Sequence, residues 1–177
     1  MSTVQMLFSG FGGQGILFAG KFIAYKGMIE DKQVSWLPSY GPEMRGGTAS
    51  CSVIVGDEPV GSPIVTAPDV LVAMNLPSLD KYEASVAPGG VILMDSSLIE
   101  RKVNRTDVTV YEIPATKLAG ENGIPTLANM IIVGKLLKVL DQFNKEDVDA
   151  ALKKVISAKR ADMMDSNYKA MQLGADY

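Results

Sequence analysis

Histidine is absent from the sequence, and cysteine occurs once, as Cys51. Without histidine the chain has no Ser-His-Asp or Cys-His catalytic arrangement, no histidine-ligated metal and no general base of the usual kind near neutral pH. A single thiol cannot form an intrachain disulfide, a cysteine-rich zinc site or a four-thiolate iron–sulfur cluster. We therefore predict that this chain holds no metal and that any redox chemistry depends on an organic cofactor or a partner chain.

Long apolar runs and a basic stripe are also lacking. No stretch of about 18 apolar residues occurs, and the first residues lack the basic region and apolar core of a signal peptide. We therefore expect a cytoplasmic protein without membrane contact. With 17 Lys and Arg against 20 Asp and Glu, the net charge is −3, so nucleic acid is not an expected partner. The length of 177 residues allows one domain with a full core, and we predict one domain over residues 1–177.

Short apolar runs alternate along the chain with segments of helical spacing, which is typical of α/β proteins. The predicted strands are residues 4–9, 34–37, 50–55, 70–74, 91–94 and 108–113. The predicted helices are residues 16–29, 76–86, 115–120 and 126–140, with one more beginning after Asn144. Asn75 and Asn144 are predicted N-caps. Residues 56–59 predict a turn into a hairpin partner for the strand before them.

The first glycine cluster follows the first predicted strand and precedes a predicted helix. Gly10, Gly12 and Gly15 satisfy G-x-G-x-x-G, a pattern that exposes backbone N–H groups at the positive end of a helix. A dinucleotide site also needs an acidic residue at the tip of the second strand, but Glu30 and Asp31 precede that strand. Three interpretations stay open: a tight turn that only allows close packing, a site for a phosphate or other anion, and a contact with a protein partner.

The second glycine-rich segment, residues 39–48, contains the acid Glu43 and the base Arg45 beside Gly46 and Gly47. The planar donors of Arg45 suit a phosphate or a carboxylate. The two glycines let a ligand or another backbone approach closely. The alternative is a solvated loop in which Glu43 and Arg45 pair with each other.

Three residue types outside these loops have two interpretations each. Cys51 is predicted to be a small core residue rather than a nucleophile, because no base is available to activate it. The methionines Met163, Met164 and Met171 fill the core or mark a contact surface. Trp36 either packs in the core or belongs to an intersubunit surface with Tyr40.

The two clusters together, Phe8 to Gly15 and Ser39 to Gly47, resemble the gamma subunit of 2-oxoacid:ferredoxin oxidoreductases, and residues 123–130 (GIPTLANM) are similar to a third signature of that family. The resemblance spans nearly the whole chain. It implies a three-layer α/β/α domain with a mixed, mostly parallel sheet and a Rossmann-like glycine turn after the first strand.

The resemblance also implies a function in anaerobic metabolism. The enzymes of this family decarboxylate a 2-oxoacid on thiamine diphosphate, transfer electrons through iron–sulfur clusters to ferredoxin, and form an acyl-CoA. The implied partners are alpha, beta and ferredoxin-like delta subunits, which would hold the thiamine diphosphate and the clusters, while this chain alone holds no cofactor and contributes no catalytic residue. Its implied role is to close the assembled active site and help position coenzyme A, with 2-oxoglutarate as the expected substrate.

Site residues follow from these motifs as expectations. The residues expected to contact coenzyme A are Gly12, Gly13, Gln14, Gly15, Arg45, Gly46 and Gly47. The residues expected at a subunit interface are Trp36, Tyr40, Glu43 and Met44. The alternatives are an independent dinucleotide-binding Rossmann-type oxidoreductase and a subunit that only holds the complex together.

Overall fold

The computed structural model describes residues 3–39 and 48–177, with Thr48 described by its backbone alone. The strands are β1 (Val4–Phe11), β2 (Gln33–Ser39), β3 (Thr48–Gly56), β4 (Val70–Ala73), β5 (Val91–Asp95) and β6 (Thr109–Ile113). The helices are α1 (Ile16–Ile29), α2 (Leu76–Tyr82), α3 (Ala115–Glu121), α4 (Ala128–Val139), α5 (Lys145–Val155) and α6 (Met163–Asp176). Within the two described ranges, no helix is both long and apolar enough to cross a membrane.

The six strands form one sheet in the order β2-β3-β1-β4-β5-β6. The pairs β1–β4, β4–β5 and β5–β6 are parallel, whereas β3 runs antiparallel to both of its neighbours, β1 and β2. Five strands therefore point in one direction and only β3 points in the other, as predicted for a mixed, mostly parallel sheet. The carboxyl ends of the five strands lie at one edge, which we call the carboxyl edge.

Alternating side chains of the central strands fill a core on each face of the sheet. Val70 and Val72 of β4 belong to a large cluster with α1, α4, α5 and α6, while Leu71 and Ala73 belong to a smaller cluster with α2. Because both of its faces are covered, β4 is apolar without interruption. The predicted three-layer α/β/α class is confirmed, with a second helical layer built largely from the seven residues of α2. The assignment of residues 1–177 to one domain stays a prediction.

The two predicted asparagine caps are confirmed. Asn75 Oδ1 accepts a hydrogen bond from Ser78 N at 2.9 Å, and Asn144 Oδ1 accepts one from Glu146 N at 2.9 Å. Each bond satisfies a backbone N–H that the first helical turn leaves without an intrahelical partner. The helix after Asn75 is shorter than its spacing predicts, because the backbone tightens into a 3-10 turn over Glu83–Ser85.

One local prediction is wrong. No hairpin partner follows residues 56–59, since β3 pairs with the preceding β2 and with β1, and the next strand is β4. The segment between β3 and β4 contains Pro59, Pro63 and Pro68. These residues lack the backbone N–H group that would donate to a neighbouring strand. Of the two interpretations of Met171, the core is confirmed, because this residue is fully buried in the large cluster.

Helices α4 and α6 approach each other so closely that each contact position needs glycine. A Cβ atom added at Gly134 would overlap the carbonyl oxygen of Met171, and one added at Gly174 would overlap that of Ile131. The two helices therefore touch backbone to backbone, and α6 packs on α4 on the side of the sheet that α1 also covers.

Candidate functional site

The candidate site lies at the carboxyl edge, in the crevice between β1 and β4. The chain leaves β1 for α1 on one face of the sheet and leaves β4 for α2 on the other. Open α/β sheets bind ligands where neighbouring strands send their helices to opposite faces. The glycine turn, residues 10–15, lies at this switch point.

Left-handed backbone conformations shape the glycine turn. Gly13 has φ +90° and Gly15 has φ +72°, values that cost an L-residue with a Cβ atom conformational energy. Gly12 and Gly13 are exposed, and no acceptor within residues 3–39 and 48–177 binds their backbone N–H groups. These two donors are available to a ligand or a partner.

Gln14 closes the turn with its own side chain. Its Oε1 accepts from Phe11 N at 2.6 Å, and its Nε2 donates to the carbonyl oxygen of Met74 at 3.1 Å, just after β4. The side chain thus links the glycine turn to the neighbouring strand. Sequence reasoning missed this structural role and assigned Gln14 to the cofactor, which stays a prediction.

The N-terminus of α1 adds positive potential to the turn. Gly15 is the N-cap, and no side chain caps the helix. The first-turn N–H groups and the helix dipole therefore favour an anion at this end. Together with the donors of Gly12 and Gly13, this end of α1 can bind a phosphate.

Asn129, at the start of α4, reaches the glycine turn from far along the sequence. Its Nδ2 donates to Gly15 O at 3.1 Å, and that carbonyl also accepts from Ala19 N at 3.0 Å. A Cβ atom at Gly15 would overlap the Asn129 amide nitrogen and lie 3.0 Å from its Cγ. The third signature, residues 123–130, thus holds the glycine turn in place through Asn129. An amide within the apolar run of residues 127–134 was the signal that could have identified this contact.

Buried polar groups line the other side of the crevice. Ser9 Oγ donates to Ser78 Oγ at 2.8 Å, and both residues are fully buried. Asn75 Nδ2 is buried and has no acceptor among the described residues. None of these three residues was predicted as a site residue, because each is an ordinary strand, helix or cap residue in the sequence, and Asn75 was predicted only as an N-cap.

Residues 40–47 contain Tyr40, Glu43, Met44, Arg45, Gly46 and Gly47, and all lie outside the described residues. The strands on either side are described. Ser39 at the end of β2 pairs with Ser50, which pairs in turn with Ser9 of β1. The two strand ends therefore lie at the carboxyl edge, as expected if both glycine-rich segments belong to one site.

Trp36 lies on β2 and packs partly buried against the large cluster. Its ring centroid is 5.9 Å from Lys21 Nζ on α1. Trp36 thus contributes to the core, and its place in a subunit interface stays a prediction.

Cys51 is a core residue, which confirms the prediction from the sequence. It is 1% exposed, its Sγ lies 3.6 Å from Ile16 O, and burial raises the pKa of its thiol to about 12. The thiolate is the reactive form of cysteine, so this thiol is unreactive at neutral pH.

The acids near the second strand do not reach the glycine turn. Glu30 pairs with Lys26, and Asp31 ends α1 in a left-handed conformation. Helix α1 has 14 residues, so it separates them from Gly15 by about 21 Å at 1.5 Å per residue. Neither acid can bind a ribose at the carboxyl edge.

Comparisons with known proteins agree with this architecture. Residues 5–177 match the family model of pyruvate ferredoxin/flavodoxin oxidoreductase. The ketoisovalerate oxidoreductase subunit VorA of Methanothermobacter thermautotrophicus is 38% identical over 175 residues, which cover 98% of this chain and 36% of VorA. The 2-oxoglutarate synthase subunit KorC of Methanocaldococcus jannaschii is 38% identical over 151 residues, covering 84% of this chain and 81% of KorC.

A solved structure extends the comparison. The keto/oxoacid ferredoxin oxidoreductase gamma subunit from Geobacter sulfurreducens superposes with a TM-score of 0.81 and 30% identity over 98% of this chain and 96% of that one. This chain therefore spans nearly a whole relative in one case and about a third of VorA in another. The family resemblance of the two glycine-rich motifs is confirmed, and the chain belongs to the pyruvate ferredoxin/flavodoxin oxidoreductase family.

Proposed function

We propose that this chain is the gamma subunit of a multisubunit 2-oxoacid:ferredoxin oxidoreductase and that it works only in the assembled enzyme. The observation that carries this proposal is the similarity to subunits of such enzymes, with 38% identity to KorC and 30% identity to the Geobacter gamma subunit. The 36% coverage of VorA fits a domain that some relatives carry within a longer chain.

Composition supports a division of labour among subunits. A chain with no histidine and one buried cysteine is suited neither to acid–base catalysis nor to cluster ligation. Alpha and beta subunits would hold thiamine diphosphate, which supplies the decarboxylation chemistry when bound. A ferredoxin-like delta subunit would hold the iron–sulfur clusters. The remaining role for this chain is to close the active site and position coenzyme A.

The glycine turn supports the positioning role. Gly12 and Gly13 offer N–H donors beside the positive end of α1, and coenzyme A carries phosphates. Gln14 and Gly15 hold the turn in shape, and we propose Arg45, Gly46 and Gly47 as further contacts. Trp36, Tyr40, Glu43 and Met44 are proposed to face the other subunits.

We infer 2-oxoglutarate as the acid, because KorC is 38% identical and is covered over 81% of its length, whereas VorA, with the same identity, is covered over 36% of its length. A reconstituted complex assayed with 2-oxoglutarate, 2-oxoisovalerate and pyruvate tests this choice, and preference for either of the other acids would contradict it.

A charge at the glycine turn tests the coenzyme A role. Gly12 is exposed and has no positive φ, so Gly12→Asp adds an anion without placing an L-residue in a left-handed conformation. Its neutral, equally sized control is Gly12→Asn. In the reconstituted complex we expect Gly12→Asp to raise the KM for coenzyme A at least about tenfold relative to Gly12→Asn. The added carboxylate would repel a phosphate and offset the positive potential at the N-terminus of α1. The KM for the 2-oxoacid should not change.

Two results would contradict the proposal. Equal coenzyme A kinetics in the two Gly12 variants, with altered assembly, would favour a purely structural subunit. A thermal shift of the isolated chain with NAD, NADP or FAD would favour the dinucleotide enzyme, since a ligand at 100 times its Kd stabilises by about 2.7 kcal/mol. Glu30 and Asp31 lie at the far end of α1 from Gly15, a position that does not fit a dinucleotide site at the glycine turn.

A further inference from the structure

An open cavity of about 400 Å³ lies between the starts of α1, α4 and α6 and the end of α5. Its volume falls within the range of about 300–1,000 Å³ typical of small-molecule sites. Its apolar wall consists of Phe18, Leu127, Val155, Ile156 and Met163. All of these except Leu127 are only partly buried, so the cavity gathers apolar surface that folding leaves in contact with water. Apolar surface concentrated in this way is typical of a binding site.

A single charged side chain, Arg160, stands beside this apolar wall. It is exposed, and its guanidinium has no ion-pair partner in the part of the chain that the structure describes. Thr126 and Ser157 also line the cavity, and hydroxyl groups can donate further hydrogen bonds. None of the described lining residues is acidic, so Arg160 gives the cavity a positive charge.

The helix ends around the cavity add potential of the same sign. Gly15 is the N-cap of α1 and Leu127 is the N-cap of α4, and both residues line the cavity. Neither helix has a side-chain cap or an acidic residue in its first turn, so the positive ends of two helix dipoles reinforce the charge of Arg160. Helix α6 adds less, because Asp162 precedes it and Asp165 lies in its first turn.

We propose that this cavity binds a small monocarboxylate with an aliphatic or aromatic body, the carboxylate at Arg160 and the body against the apolar wall. The planar guanidinium matches a carboxylate through two parallel N–H donors. Its one positive charge balances one negative charge, so no charge is left unpaired beside the apolar side chains. The half-buried wall gains further burial when the body of the ligand covers it.

Other classes of ligand fit this cavity less well. An ammonium group would meet Arg160 and two positive helix ends, with no acid among the described lining residues. A phosphate monoester carries a charge of about −1.5 to −2, which one guanidinium does not balance. An uncharged apolar molecule would leave the guanidinium without a counter-ion.

This proposal does not rest on the proposed function. The exposed donors of the glycine turn belong to Gly12 and Gly13, and neither residue is among those that line the cavity. Gly15 is the one residue that belongs to both the turn and the cavity wall. A carboxylate in the cavity therefore lies next to the turn without using its exposed donors.

Titration of the full chain with phenylacetate, followed by heteronuclear NMR, tests the proposal. Phenylacetamide is a neutral analogue of nearly equal size, and acetate carries the charge without the apolar body. We expect phenylacetate to bind at least about tenfold more tightly than either, because the charge-assisted bond and the burial of the ring both contribute. The largest amide shifts should occur at residues that line the cavity, with Gly15 and Arg160 among them.

Arg160→Gln should weaken phenylacetate binding about tenfold and leave phenylacetamide binding unchanged, because only the carboxylate uses the guanidinium. Its matched control is Lys159→Gln, which removes the same charge from a neighbouring exposed residue that does not line the cavity. This control should change the binding of neither probe.

Three results would overturn the proposal. The first is no binding of phenylacetate at millimolar concentration, or equal affinity for phenylacetate and phenylacetamide. The second is tighter binding of phenyl phosphate than of phenylacetate, which would assign the cavity to a phosphate. The third is a set of shifts confined to Gly12 and Gly13 and unaffected by Arg160→Gln, which would place the anion at the glycine turn. Failure of the proposed function would appear elsewhere, in the coenzyme A kinetics of the Gly12 variants.

Discussion

Replacing Gly15 with alanine tests the contact between the glycine turn and α4. The left-handed φ of +72° costs an L-residue about 1–2 kcal/mol. The new Cβ would also displace the Asn129 amide, which donates to Gly15 O, at the net value of a hydrogen bond, about 0.5–1.5 kcal/mol. We expect Gly15→Ala to lower the free energy of unfolding by about 2–3 kcal/mol, or Tm by about 4–12 °C for a chain of this size.

Gly13→Ala is the matched control. Gly13 has φ +90°, and a Cβ added there would meet nothing within 4 Å. This variant carries the backbone strain without the overlap, so it should cost about 1–2 kcal/mol. The difference between the two variants isolates the contact with Asn129.

Urea unfolding followed by the fluorescence of Trp36, the single tryptophan, measures each free energy. A double-mutant cycle then combines each glycine variant with Asn129→Ala. The cycle should give a coupling of about 0.5–1.5 kcal/mol for Gly15 and none for Gly13, because only neighbouring residues couple. Equal destabilisation by the two alanines, with additive effects in both cycles, would refute the reasoning.

Two further predictions concern the proposed interface and the buried thiol. Amide hydrogen exchange over residues 36–48 should slow when the isolated chain joins its partner subunits, and unchanged protection would count against an interface there. Folding raises the Cys51 pKa from 9.0 to about 12, so the stability that this thiol contributes is complete below pH 9 and is lost as pH rises toward 12. The free energy of unfolding should therefore fall more steeply with pH in this range for the unaltered chain than for Cys51→Ala, and parallel slopes would contradict the assigned burial.

Local patterns predicted most of the elements, because apolar runs and cap residues act within a few positions. Asn75 and Asn144 mark helix starts through bonds that span two or three residues, and Val70 to Ala73 is apolar because both faces of the sheet are covered. Contacts between distant segments have no comparable signal in the local sequence. Nothing near Asn129 indicates that it donates to a carbonyl 114 residues earlier.

The same limit explains the wrong hairpin prediction and the features that the local patterns did not specify. Residues 56–59 favour a turn, but whether a strand follows depends on which strand already occupies the neighbouring position, and β2 pairs with β3 instead. Met171 is buried because α6 packs against α4, a contact that the helical spacing of α6 alone does not specify. The bonds of Gln14 to Phe11 and Met74 were not anticipated, since G-x-G-x-x-G describes the glycines only, and the assignment of Gln14 to a ligand stays a prediction.

The glycine contacts between α4 and α6 restrict how this protein can change through evolution. A side chain that meets another side chain can be accommodated by a second substitution, but at Gly134 and Gly174 the opposing atoms are the carbonyl groups of Met171 and Ile131, which every residue carries. No compensating replacement exists at the opposite position. The helix pair can therefore diverge on its outer surfaces while these two positions stay fixed, and divergent relatives should inherit the same spacing between the two helices even where little else of their sequence is shared.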